Sequence, residues 1–168
     1  MSKNIIVLVM HGMPPKDFPI KDKQNMFRLK SKVESPAGNA TLVEVDEFNS
    51  LDQKMRHWPR TEANDAFESA SREIAEELEK STQDKVIVGY NEFCTPNFDE
   101  SLDMAVEAGA TVVTIVTAMV TRGGSHSDDE IPEAIEAAKK RHPSVEFKYA
   151  WPYKSAHIAE FLAQQIKL

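Results

Sequence analysis

Residues 111–120, TVVTIVTAMV, restrict the fold more than any other stretch of the chain. A nearly unbroken run of β-branched and apolar side chains suits a strand covered on both faces, as in a parallel sheet packed between helices. Two more runs of strand length, 4–10 (NIIVLVM) and 85–93 (KVIVGYNEF), share this character, and a fourth strand is expected at 145–150. Amphipathic stretches alternate with them. A helix is expected at 61–80, with a stripe of Ala63, Phe67, Ala70, Ile74 and Leu78. A second begins at the Asn97-Phe98-Asp99-Glu100 capping box, buries Phe98, Leu102, Ala105 and Val106, and ends at Gly109. A third spans about 130–141, stopped by Pro143, and a last one at 155–166 is expected to pack through Ile158, Phe161, Leu162 and Ile166. Strand and helix thus alternate four times. That order predicts an α/β, three-layer fold with a central four-stranded parallel sheet and helices on both faces.

One segment breaks the alternation. Pro14, Pro15, Pro19, Pro36 and Gly38 predict a long irregular insertion at about 13–60, with a short helix near 23–33 and a short strand at 41–45. At 168 residues the whole chain reads as a single domain. No apolar run reaches membrane-spanning length and no leader pattern opens the chain, so a soluble, cytoplasmic protein is expected. Cys94 is the only cysteine, which excludes an intrachain disulfide and a thiolate metal cluster within one chain. A formal net charge of −7 argues against nonspecific nucleic-acid binding. The charge is uneven, however. Residues 16–32 set Lys16, Lys21, Lys23, Arg28, Lys30 and Lys32 against Asp17 and Asp22, a local net of +4.

In open parallel sheets the binding crevice lies beyond the carboxyl ends of the strands. His11 follows the first expected strand, and His126 follows the third in a Gly123-Gly124-Ser125-His126 turn. The two can converge although 115 positions separate them, while either alone also reads as a hydrogen-bonding loop residue. Glu92, at the end of the second strand, is the leading carboxylate; its other reading is a solvated strand-end acid. Imidazole suits cobalt, iron, nickel and zinc, and two histidines with one carboxylate would make a weak, open site for an ion that is passed on. Asp128, Asp129 and Glu130 read as charges complementing a helix N-terminus. His57 and His157 read as surface or interface residues and His142 as structural. No Gly-x-Ser-x-Gly elbow, GxGxxG or Walker motif is present, which disfavours a hydrolase triad and a nucleotide site.

His11-Gly12, the segment GYNEFCTPNFDESLDMAVEAGATVVTIVTAMV, the Gly-Ser-His126 turn followed by DDEIP, and RHPSVEF before the fourth strand together resemble the class II chelatases. The similarity is greatest to the small CbiX/SirB-type sirohydrochlorin chelatases and covers residues 4–12 and roughly 61–166. It implies a flavodoxin-like chelatase fold and insertion of a divalent ion, Co²⁺ or Fe²⁺ with Ni²⁺ left open, into a tetrapyrrole without ATP, in cobalamin or siroheme biosynthesis. By position, His11 and His126 match the family's metal-handling histidines, and Glu92 matches its strand-end glutamate. Met13 after His-Gly and the long insertion depart from the family pattern. A noncatalytic metal or tetrapyrrole carrier on the same fold stays open as an alternative, and a flavin or phosphate binder is disfavoured. Longer family members carry two similar domains, so this chain is expected to work as a homodimer. Lys16, Lys21, Lys23 and Arg28 read either as a lid that meets the substrate's carboxylates or as ordinary charges on a solvated helix face.

Overall fold

Strand β1 (Asn4–Met10) takes the centre of the sheet because its side chains are apolar in both directions. Successive side chains on a strand point to opposite faces. Ile5, Val7 and Val9 pack with Phe98, Leu102, Ile131 and Ile135, whereas Leu8 and Met10 pack with Ala75, Tyr90 and Cys94. The computed structural model describes residues 3–35 and 38–168, so Pro36, one of the expected breakers, lies outside the described residues. Strands β2 (Lys85–Tyr90), β3 (Val112–Thr117) and β4 (Glu146–Tyr149) complete a sheet of order β2-β1-β3-β4, parallel throughout. The expected α/β architecture with a four-stranded parallel sheet is the one observed. No described helix is long and apolar enough to cross a membrane.

The insertion is not irregular. Residues 13–60 contain α1 (Ile20–Val33) and α2 (Leu42–Arg56). The strand expected at 41–45 is instead the start of α2: Thr41 accepts from the Glu44 amide while the Glu44 side chain accepts from the Thr41 amide. That reciprocal capping box outweighs the β-branched Thr41, Val43 and Val45. Lys32–Glu44 and Lys54–Asp22 ion pairs hold α1 to α2, and Met26, Met55 and Phe18 pack beneath with Phe93.

Other boundaries shift for local reasons. Helix α3 (Ala66–Thr82) starts five residues late because Asp65 caps it, accepting from the Glu68 amide. Its buried face is Glu68, Ser71 and Ala75, not the expected stripe; Ile74 is exposed. Strand β2 ends at Tyr90 rather than at residue 93. Helix α4 (Phe98–Glu107) has the expected capping box at Asn97 and Glu100. Helix α5 (Ile131–Arg141) is preceded by a single π-turn, His126–Glu130, where a loop was expected.

Two expectations about burial fail together. Strand β3 buries Val113, Ile115 and Thr117 but leaves Val112, Thr114 and Val116 only half-buried, so it is not covered on both faces. Helix α6 (Ser155–Ile166) buries no residue, and Phe161, Leu162 and Ile166 are 63%, 54% and 85% exposed. A helix that leaves every residue but Ile158 exposed does not close the second face of β3.

Candidate metal centre

The site forms where β1 and β2 run out. Hydrogen bonding continues one step past both strands: the Asn91 amide donates to Met10 O at 2.9 Å and the Glu92 amide to His11 O at 2.8 Å. This fastens Glu92 beside His11. Gly12 permits the approach, since it has φ +92° and a Cβ there would lie 1.9 Å from the Glu92 carbonyl oxygen. Phe93 turns the chain away with φ 59°, a conformation non-glycine residues hold only when their surroundings impose it.

His126 reaches the same place from β3. It opens the π-turn, a local widening of the helix that recurs at functional sites. The His11 and His126 rings meet edge to face, with centroids 5.0 Å apart. One ligand atom from each of His11, Glu92 and His126 can be chosen so that all lie within 4.8 Å of one another. His11 Nε2 and Glu92 Oε2 are 3.6 Å apart. Two ligands on a tetrahedral ion, with bonds of about 2.1 Å, stand about 3.4 Å apart.

The tautomers follow from the partners. His11 Nδ1 lies 2.8 Å from the Gly12 carbonyl, which only accepts, so Nδ1 carries the proton. His126 Nδ1 lies 2.8 Å from the Glu130 carboxylate with the same consequence. In the neutral ring each Nε2 is then left to donate its lone pair. Cys94 does not compete, because burial pushes its thiol above the ordinary range and keeps it protonated.

Several contributors escaped sequence reasoning. Glu130 was read as a helix-dipole charge, and its spacing of four from His126 was the available signal. An aromatic trio supports the turn: Tyr149 Oη donates to Ser127 O, Trp151 Nε1 to Asp128 Oδ1, and Tyr153 Oη to Thr117 O. The YAWPY cluster after the fourth strand carried that signal. Lys30, on α1, binds the other Glu92 oxygen, Oε1. Of the expected lid residues, Lys16 and Lys21 are exposed, Lys23 is half-buried, and Arg28 bonds Asn25 and approaches Glu44. Among the described residues no hydrogen bond or ion pair joins these four to His11, Glu92 or His126. The insertion does border the site, in a cleft of about 220 Å³ lined by Met26, Lys30, Arg56, Glu92 and Phe93 among others.

Comparison with known proteins gives a consistent picture. A putative cobalamin (vitamin B12) biosynthesis CbiX protein from Marinobacter aquaeolei VT8 superposes with a TM-score of 0.57 at 16% identity, covering 98% of this chain and 94% of that one. This likeness concerns the fold. A sirohydrochlorin cobaltochelatase of Priestia megaterium is 39% identical over 36% of this chain and 20% of its own length. A sirohydrochlorin ferrochelatase of the same organism is 29% identical over 47% of this chain and 30% of its own. The chain thus spans less than a third of the length of these two relatives. The CbiX family profile matches residues 59–167, well over half of the sequence and the part that carries β2, β3, Glu92 and His126. The chain belongs to the CbiX family.

Proposed function

We propose that the protein is a sirohydrochlorin-type chelatase, which inserts a divalent ion, Co²⁺ or Fe²⁺, into a tetrapyrrole without a nucleotide. The observation that carries this reading is the pair of imidazoles, each with Nδ1 committed to an acceptor and Nε2 bare, converging with Glu92. Three protein ligands leave coordination positions open for pyrrole nitrogens, so the ion can be handed over rather than sequestered. Insertion also releases two pyrrole protons, and a neutral imidazole or the Glu92 carboxylate is a suitable acceptor. Both named relatives, a cobaltochelatase and a ferrochelatase of sirohydrochlorin, support the substrate class.

Two parts of the reading concern the macrocycle. Lys16, Lys21, Lys23 and Arg28 would meet its carboxylates if α1 closes over the crevice, and the place of α1 beside Glu92 supports a lid. A homodimer would supply a second wall. The exposed apolar side of α6, with a groove of about 490 Å³ between it and Val120–Arg122, supports such an interface. A monomer by light scattering at micromolar concentration argues against the dimer, and an unchanged KM after joint replacement of Lys16, Lys21 and Lys23 by Glu argues against the lid.

The function is tested by anaerobic incubation with sirohydrochlorin and Co²⁺ or Fe²⁺, followed by absorbance. His11→Ala and His126→Ala should each remove most of the rate with the fold retained, and Glu92→Gln should cost less. Near-native rates in both histidine variants would refute the site. Binding of metal and tetrapyrrole without faster insertion would make the protein a carrier.

A further inference from the structure

The Glu92 carboxylate lies between His11 and Lys30. Oε2 faces His11 at 3.6 Å, while Oε1 holds the ammonium of Lys30, which arrives from α1, 62 positions away in sequence. The Lys30 side chain is 19% exposed and Glu92 20%, so this pair is largely removed from water. Lys30 has two further partners at hand: Glu34 Oε1 at 3.7 Å, one helical turn on, and the Phe93 ring, whose centroid is 5.3 Å from Nζ. A cation that loses Glu92 therefore need not return to bulk water, which keeps its displacement inexpensive.

We propose that Lys30 is a resident counter-cation of the metal centre. Its ammonium occupies the carboxylate of Glu92 until a divalent ion displaces it toward Glu34 and the Phe93 face. The inference deepens the metal-site reading above and rests on it. A single positive charge beside a divalent ion opposes its binding, so Lys30 holds the affinity of the site down. Low affinity is what a handing-over site requires. Lys30 also belongs to the helical insertion rather than to the residues 59–167 that match the family profile.

The test is Co²⁺ binding to the full-length protein, without tetrapyrrole, titrated by Co²⁺ absorbance at fixed pH and ionic strength. Lys30→Met keeps the aliphatic stem and removes the charge; it should tighten Co²⁺ binding about tenfold, with the gain shrinking at high salt. Lys30→Arg keeps the charge and should stay within about twofold of wild type. Should Lys30→Met fail to fold, Lys30→Gln replaces it with the same expectation. A role as a mere strut predicts weaker or unchanged binding, and either result overturns the proposal provided wild-type binding is lost in His126→Ala. Wild-type binding that survives His126→Ala, or no binding at all, instead refutes the metal site and the proposal with it.

Discussion

The Nδ1 of His126 lies 2.8 Å from the carboxylate of Glu130, four residues on and across the π-turn that joins β3 to α5. The contact sets the tautomer and orients the ring, leaving Nε2 as the ligand atom. Glu130 is half-exposed and forms no other described side-chain bond, so its removal should act on the histidine and little else. Glu130→Ala is expected to weaken Co²⁺ binding by about 10–100-fold. Its unfolding free energy in urea should remain within about 0.5 kcal/mol of wild type. Unchanged Co²⁺ affinity would mean that Glu130 does not orient the ring.

The sheet and the three convergent residues were legible in the sequence because both follow from strand ends. Apolar runs mark the strands, parallel order puts their carboxyl ends on one side, and His11, Glu92 and His126 follow those ends in the chain. Glu130 was misread because a first-turn acid and a histidine-orienting acid occupy the same kind of position. Only the π-turn separates the two. Lys30 was one charge among six in a basic segment, and nothing local distinguishes the one that meets Glu92. Helix α1 was legible in part, as the short helix expected near 23–33, whereas the start of α2 was read as a strand although Thr41 and Glu44 hold a capping-box spacing. The exposure of α6 was not legible, since an apolar stripe says that a face wants cover, not that this chain supplies it.

Gly12 is the position least tolerant of a side chain. Its φ of +92° and the 1.9 Å separation between a notional Cβ and the Glu92 carbonyl leave no room without moving one strand end from the other. Gly12→Ala should cost about 2–4 kcal/mol by urea unfolding. Because the carbonyl that must move belongs to Glu92, Co²⁺ binding should weaken in the same variant. A stable variant with native affinity would show that the two loops are more pliant than their hydrogen bonds suggest.

Asp65 and Arg60 tie the helical insertion to the underside of the site. Their ion pair is almost fully buried, at 1% and 8% side-chain exposure. Arg60 also donates to the carbonyls of Met13, Met55 and Phe93, while Asp65 caps α3. Removing one partner strands the other's charge away from water. Asp65→Ala is expected to cost about 3–5 kcal/mol in urea unfolding. A cost below about 1 kcal/mol would mean that water reaches Arg60 once Asp65 is gone.

Acid should loosen the α1–α2 pair. The Glu44 carboxyl is held down to about 2, first by the hydrogen bond from Lys32 and then by the Thr41 amide. In an unfolded chain the same group titrates near about 4.3. The folded state thus resists protonation, and the stabilisation is present above about pH 4.3 and is lost as pH falls toward about 2. Glu44→Gln retains the capping-box geometry but removes the charge that pairs with Lys32. Hydrogen exchange of residues 20–33 and 42–56 between pH 5 and pH 2.5, corrected for intrinsic rates, separates the two proteins. Wild type should lose protection across that interval, whereas the variant should begin lower and change less. Asp17, lowered mainly by its bond from Asn64, titrates in the same direction in both proteins, so the difference between them isolates Glu44. Parallel curves would assign the acid response to Asp17 and to other carboxylates common to both chains.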